Sequence, residues 1–240
     1  MTEDMEFIKD GKRMDGREVD EVREMEAKAG ILENADGSGY FRMGKTEAVA
    51  AVQGPRELHP QHMQKAKRAI LRCRYSLTPF STEDRVRPGP SRRSREINKV
   101  VRDALSSVIF LEEFPSATID LFTDVITADA GTRCVALNAG AIALADAGIP
   151  MKGLVSACAA GKVDDTVVLD VMSEEDKYGQ VDLPVAISHN NDQITLMQMD
   201  GIASEKEMDE MIKLAKKGCK MVYEKQKEAL NEEFEGEING

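Results

Sequence analysis

TIDLFTDVITADAGTRCVALNAGAIALADAGIP, residues 118–150, decides the fold. Ile119, Leu121, Thr123 and Val125 alternate with their neighbours, the period of two that marks a strand over 118–127. From Thr132 to Ala147 the chain is rich in alanine and other small residues, which predicts a closely packed helix. Gly148 and Pro150 stop it. Between the two elements stands Gly131-Thr132-Arg133. The first N–H groups of a helix have no intrahelical partner and carry partial positive charge. A glycine, a hydroxyl and an arginine at that point therefore compose an anion site. Taken alone the tripeptide is a weak signal, since a Gly-Thr-Arg at a helix start is usually just a turn and a cap.

The flanking sequence continues the strand and helix alternation. Ile97, Val100, Val101, Ala104, Leu105 and Val108 recur at steps of three and four, one apolar stripe of a helix that starts near Arg92 and Arg93. A loop rich in Pro, Gly and Arg precedes it at 81–91 (STEDRVRPGPS). Before that loop, Ala69, Leu71, Cys73 and Tyr75 alternate with Ile70, Arg72, Arg74 and Ser76, a strand with arginines on one face that Pro79 ends. Residues 31–52 read as two short strands joined by a turn at Asp36-Gly37-Ser38-Gly39. Residues 13–23 (RMDGREVDEVR) are polar, with a turn signal at Asp15-Gly16. Downstream, 154–159 and 166–171 read as strands, and 181–187 pairs with 193–199 through a turn at 189–192. A last helix runs from about 204 to 230, and 231–240 reads as a flexible acidic tail. This alternation predicts one α/β (α+β) domain over 1–230, mixed sheets with packed helices, its N-terminal core at about 13–150 and its C-terminal part at about 151–230.

The 240 residues are 42% hydrophobic, enough for a sizeable core, and carry a net charge of −11. That charge argues against an overall basic nucleic-acid binder. It hides an uneven distribution. Residues 56–102 hold 13 Lys/Arg against four Asp/Glu, a net of +9, which leaves −20 for the rest. Such a block attracts a polyanion locally. No run approaches the length of a membrane helix, and residues 1–11 lack a signal peptide's apolar stretch, so the expected location is cytoplasmic, with no membrane contact. Cys73, Cys134, Cys158 and Cys219 form no CxxC and lie in apolar segments, as free core cysteines do.

Three sets of residues can carry chemistry. The first is Gly131–Arg133. The second is the cluster Arg85, Arg87, Arg92, Arg93 and Arg95, whose forks match phosphate oxygens. Positive charge at a helix start opposes the macrodipole, a cost that a bound anion offsets. The third is acidic: Glu174, Glu175, Asp176 and Asp182. Carboxylates beside a phosphate site donate protons or hold a divalent metal. Glu174 and Glu175 read as an exposed acidic turn, Asp176 and Asp182 as the working pair. His59 and His62 lack a third metal ligand, and His189 reads as a turn residue. There is no P-loop, no GxGxxG and no GxSxG.

Seven collinear blocks carry a resemblance: RMDGREVDEVR at Arg13, GPRELHP at Gly54, PFSTEDRVRPGPSRRSREI at Pro79, ADAGTR at Ala128, ALADAGIPM at Ala143, EEDKYGQVDLPVA at Glu174 and LMQMDG at Leu196. The chain resembles the RNase PH family, in the branch that supplies the catalytic subunits of the archaeal exosome. The resemblance implies the RNase PH fold, which is similar to the second domain of ribosomal protein S-five. It implies 3′→5′ degradation of RNA by phosphorolysis, with inorganic phosphate as co-substrate and Mg²⁺ as cofactor. Gly131, Thr132 and Arg133 would bind the attacking phosphate with Arg93. Arg92 would grip the RNA backbone, and Arg85, Arg87 and His62 would line its path. Asp176 matches the family's general acid. Asp182 would orient it or share Mg²⁺ with it. The family also implies a hexameric ring of three heterodimers with an inactive paralogue, capped by RNA-binding subunits. The alternatives are a non-catalytic ring subunit, a homohexameric tRNA 3′-trimming enzyme, and an anion-binding enzyme unrelated to RNA. Two departures stand out: Gln61 replaces a basic residue, and Ser91 replaces an aspartate before the arginine pair.

Overall fold

The computed structural model describes residues 7–9 and 11–239. Most of the acidic start at 1–11, and Gly240 of the tail, therefore lie outside the described residues. Strands β1 (Ile8–Lys9) and β2 (Lys12–Arg13) form a small antiparallel pair. The first large sheet is built from β3 (Met25–Ala29), β4 (Gly37–Met43), β5 (Thr46–Glu57), β6 (Ile70–Leu77) and β7 (Ala117–Thr127). Their order is β3-β4-β5-β7-β6. Helix α1 (Arg92–Ser106) crosses from β6 to β7, and these two strands are parallel, as a helical crossover requires. Its start is held by a capping box between Ser91 and Ser94.

Helix α2 (Thr132–Asp146) follows β7. Then come β8 (Val155–Val163), β9 (Thr166–Leu169), the short α3 (Ser173–Tyr178), β10 (Val181–Ser188), β11 (Gln193–Met197), β12 (Asp200–Gly201) and α4 (Glu205–Asn239). The second sheet runs β11-β10-β8-β9, with β12 on β10. Every residue of α2 from Cys134 to Leu144 is buried. A helix apolar on all sides belongs inside, and α2 packs against β4, β5 and β7 of one sheet and β8 of the other. One core therefore spans both halves, joining Phe41, Leu121, Leu137 and Ile142 to Val155, Ala157 and Val222. Among the described residues, no helix is long and apolar enough to cross a membrane. All four cysteines are free.

The expected turn at Asp36–Gly39 is not a turn. Gly37, Ser38 and Gly39 open β4, and the chain reverses instead at Gly44, with φ +60°. The glycines serve close approach. A Cβ on Gly39 would lie 2.4 Å from the Ala139 carbonyl oxygen, and one on Gly37 would lie 2.2 Å from the Ala147 nitrogen. They let β4 lie against the backbone of α2, the reason the small-residue helix exists. The expected tail is also different. Helix α4 continues past Leu230 to Asn239, through a glutamate-rich stretch with good helix propensity.

Candidate active site

Two sheets that share a buried helix leave the start of that helix at the seam between them. A polar cleft of about 350 Å³ opens there. It is lined by Arg93, Glu96, Gly131, Thr132, Arg133, Asp176, Asp182, Gln198 and Asp200, among others. Six residues singled out from separate stretches of sequence thus meet in one cleft: Arg93, Gly131, Thr132, Arg133, Asp176 and Asp182.

The anion end of the cleft is the start of α2. Gly131 is the N-cap in the left-handed region, with φ +66°, and no side chain caps the helix. The Cys134 N–H bonds the Gly131 carbonyl at 3.0 Å, while the N–H groups of the cleft-lining Thr132 and Arg133 have no side-chain cap to accept from them. The Thr132 hydroxyl does not cap the helix. Its Oγ1 accepts a hydrogen bond from the buried Tyr75 hydroxyl at 2.9 Å, which ties the helix start to β6. Arg133 donates from Nη1 to Gln198 Oε1. Gln198 Nε2 in turn donates to Glu96 Oε1 at 2.8 Å. This chain of contacts links α2, the β11–β12 connection and α1, and it fixes where the Arg133 guanidinium sits. Arg93, in the first turn of α1, adds the second fork.

The acidic end comes from the second sheet. Asp176 lies on α3, and Asp182 lies near the start of β10. Asp182 is the register partner of Asp200 across the β10–β12 pair, so their side chains share a face. Burial, and then the nearby charge of Asp176, push the Asp182 carboxyl up to about 7, although Arg133 pulls the other way. Asp182 is therefore the carboxyl of this cleft that holds its proton close to neutral pH. Among the described residues, no group of three or more His, Cys, Asp or Glu side chains converges as a resident metal cage would require. Mg²⁺ asks for less, because it takes one or two carboxylates and fills the remaining positions with water and phosphate oxygens. Asp182, pushed up by burial and by the charge of Asp176, is a carboxyl whose charged form a divalent cation would favour, so the donor set fits Mg²⁺.

The other expected residues lie outside this cleft. Arg87 lines a neighbouring cavity of about 340 Å³ under the 81–91 loop, and Arg93 lines both. Arg85 and Arg87 flank a shallower hollow beside Pro88. Arg92 is exposed at the start of α1. His62 is exposed on a 3₁₀ turn, Gln61–Met63. His189 is a turn residue, but its ring stacks on Tyr223 and bonds Ser156 Oγ at 2.6 Å.

Glu175 corrects the reading of an exposed acidic turn. It is 1% exposed and forms a bidentate pair with the buried Arg13. On a six-residue helix one face can turn wholly inward, and a charge there needs a charged partner. Asp200, Gln198 and Glu96 are site residues that the sequence reading passed over. Asp200 stands inside the LMQMDG block, so its carboxylate beside a glycine was the available signal. Gln198 stands in the same block and Glu96 in the block at Pro79, but neither residue type marks a site there, because their role depends on packing.

Two family models match the chain: the 3′ exoribonuclease family domain 1 over residues 21–150, and its domain 2 over residues 153–218. The exosome complex component Rrp41 of Methanopyrus kandleri is 53% identical over 228 residues, 95% of each chain. The Rrp41 of Pyrococcus furiosus is 54% identical over 224 residues, 93% of this chain and 90% of the relative. Among solved structures, rice Rrp46 superposes with a TM-score of 0.82 at 22% identity, over 91% of this chain and all of that one. A chain of the Archaeoglobus fulgidus exosome with RNA bound to the active site superposes with a TM-score of 0.78 at 23% identity, over 90% and 93%. These two share the fold. Matched along both halves by its family models, the chain belongs to the RNase PH family of 3′ exoribonucleases.

Proposed function

We propose that this chain is the catalytic subunit of an archaeal exosome and degrades RNA from its 3′ end by phosphorolysis. One observation carries the reading: an uncapped helix start flanked by two arginines shares a cleft with Asp176 and with Asp182, whose carboxyl burial pushes up to about 7. The first part suits inorganic phosphate, and the second suits a leaving oxygen.

In this reading the N–H groups of the first turn of α2, with Arg133 and Arg93, bind inorganic phosphate. One phosphate oxygen attacks the phosphorus of the last phosphodiester. The P–O3′ bond breaks, and Asp176 passes to the departing O3′ a proton supplied by the neighbouring Asp182 carboxyl. A nucleoside 5′-diphosphate leaves, and the RNA is one residue shorter. Phosphoryl transfer depends mainly on positioning and charge neutralisation. Two anions must approach each other, so arginines are needed at their meeting point. Asp176 and Asp182 are the carboxylates that would hold Mg²⁺. When bound, the cation neutralises charge on the phosphoryl oxygens. Because phosphate is the nucleophile, no base is required to activate water.

Arg92, Arg85, Arg87 and His62 would then guide the RNA strand toward the cleft. The close relatives are exosome components, and this supports assembly into a hexameric ring with an inactive paralogue, under RNA-binding cap subunits, in the cytoplasm. The test uses 3′-labelled RNA and the assembled complex. Release of nucleoside diphosphate should require added phosphate and should disappear with Asp176→Ala. Undiminished release by that variant would overturn the assignment of Asp176.

A further inference from the structure

The arginine-bearing block 13–23 contributes no lining residue to the cleft, yet its guanidinium groups are buried. Arg13 is 3% exposed and Arg23 is 7% exposed. Arg13 Nε donates to Glu175 Oε1 at 2.8 Å, and its Nη2 donates to Glu175 Oε2. The same Nη2 donates to the Asp170 carbonyl at 2.8 Å. Arg23 Nε donates to Asp170 Oδ2 at 2.8 Å, and its Nη2 donates to Oδ1 at 2.7 Å. Arg23 Nη1 reaches the Asp129 carbonyl at 2.7 Å.

The ends of these two forks matter. Glu175 immediately precedes Asp176, and its Oε2 also accepts the Met172 N–H at 2.9 Å, which closes the start of α3. Asp129 lies two residues before Gly131. One fork therefore holds the segment that carries the acid, and the other holds the loop that carries the anion site. They meet at Asp170. Its carboxylate takes Arg23, its carbonyl takes Arg13, and its backbone sits at φ +54°, a region that side-chain-bearing residues seldom adopt.

Neither held segment can fix itself. Helix α3 has six residues, too few to be stable on its own hydrogen bonds. The loop before α2 carries Ala130 at φ +60° and Gly131 at φ +66°. A buried ion pair is weak evidence of a stability role, because apolar replacements often serve as well. A planar fork instead supplies fixed geometry.

We propose that Arg13, Arg23 and Asp170 are positioning residues that set the distance between the phosphate loop and Asp176. The inference rests on the phosphorolytic reading of the cleft. Displacing a reacting group by about 1 Å costs on the order of a hundredfold in rate. Each clamp should therefore act on its own kinetic parameter.

The test is steady-state phosphorolysis by the full chain assembled with its ring partner, with RNA saturating and phosphate varied. Arg13→Lys keeps the buried charge but loses the fork. It should lower kcat by about tenfold or more and leave the phosphate KM within about twofold. Glu175→Gln keeps the shape and should do the same, which secures this arm if the lysine variant fails to assemble. Arg23→Lys should raise the phosphate KM by about tenfold. Asp170→Asn, at the junction, should move both parameters. The proposal is overturned if these variants lower thermal stability alone, or if the Arg13 and Arg23 variants shift the same parameter equally. Absence of phosphate-dependent release by the unsubstituted complex would instead refute the reading of the cleft itself.

Discussion

Asp182→Asn should make the protein more stable as pH rises, and the size of the effect follows from the site. In an unfolded chain the Asp182 carboxyl ionises near its ordinary value of 3.8, whereas in the folded protein burial and Asp176 hold its proton up to about 7. Between those values the folded state binds more protons than the unfolded state. Stability is therefore full below the lower value, falls through the window, and is lost as pH passes the upper one. Each pH unit inside the window costs about 1.4 kcal/mol, so from pH 5 to pH 8 the loss is roughly 2–3 kcal/mol. Asparagine has no proton to lose. Groups common to both proteins cancel, so the variant's advantage over the unsubstituted chain should widen by that amount between the two pH values. Urea unfolding of the full chain, in buffer with a chelator, reads the difference. Mg²⁺ added at pH 8 should then stabilise the unsubstituted chain and not the variant. A gap that stays constant with pH would refute the claim that Asp182 is held protonated.

Gly39→Ala should destabilise the fold by about 1–3 kcal/mol in the same assay, because the new Cβ meets α2 backbone, which cannot swing aside. Gly131→Ala forces an L residue to hold φ +66°, a strain of about 1–2 kcal/mol. Its new Cβ has Arg23 Nη2 at an ordinary contact distance of 3.4 Å, so the expected result is a higher phosphate KM in a folded protein. Arg133→Lys removes the fork that donates to Gln198 and would donate to an anion, and it should raise the phosphate KM with little effect on RNA affinity, measured by filter binding.

The sequence carried much of this site because each chemical group sat in a local pattern. The strand, the Gly-Thr-Arg triplet and the small-residue helix lie in one stretch of about 30 residues, where periodicity and helix-end chemistry are readable. Asp176 and Asp182 followed from the resemblance and from their place before apolar runs. What could not be read was depth. Glu175 looks like its neighbour Glu174 in sequence, and only the partnership with Arg13, 162 positions away, makes it a core residue. Gly37 and Gly39 have turn composition, but the closeness of α2 decides their conformation. The stretch 13–23 reads only as polar with a turn signal, because nothing local indicates that its arginines pair with the distant Asp170 and Glu175. Gln198 became visible only when the second sheet folded back over α1 and α2.

The central claim is that phosphate, rather than water, is the nucleophile in this cleft. It is tested most directly by supplying radiolabelled inorganic phosphate with unlabelled RNA to the assembled complex and separating the products. Phosphorolysis places the label in the terminal phosphate of nucleoside diphosphates. Unlabelled nucleoside monophosphates, formed at a rate independent of phosphate, would contradict the account.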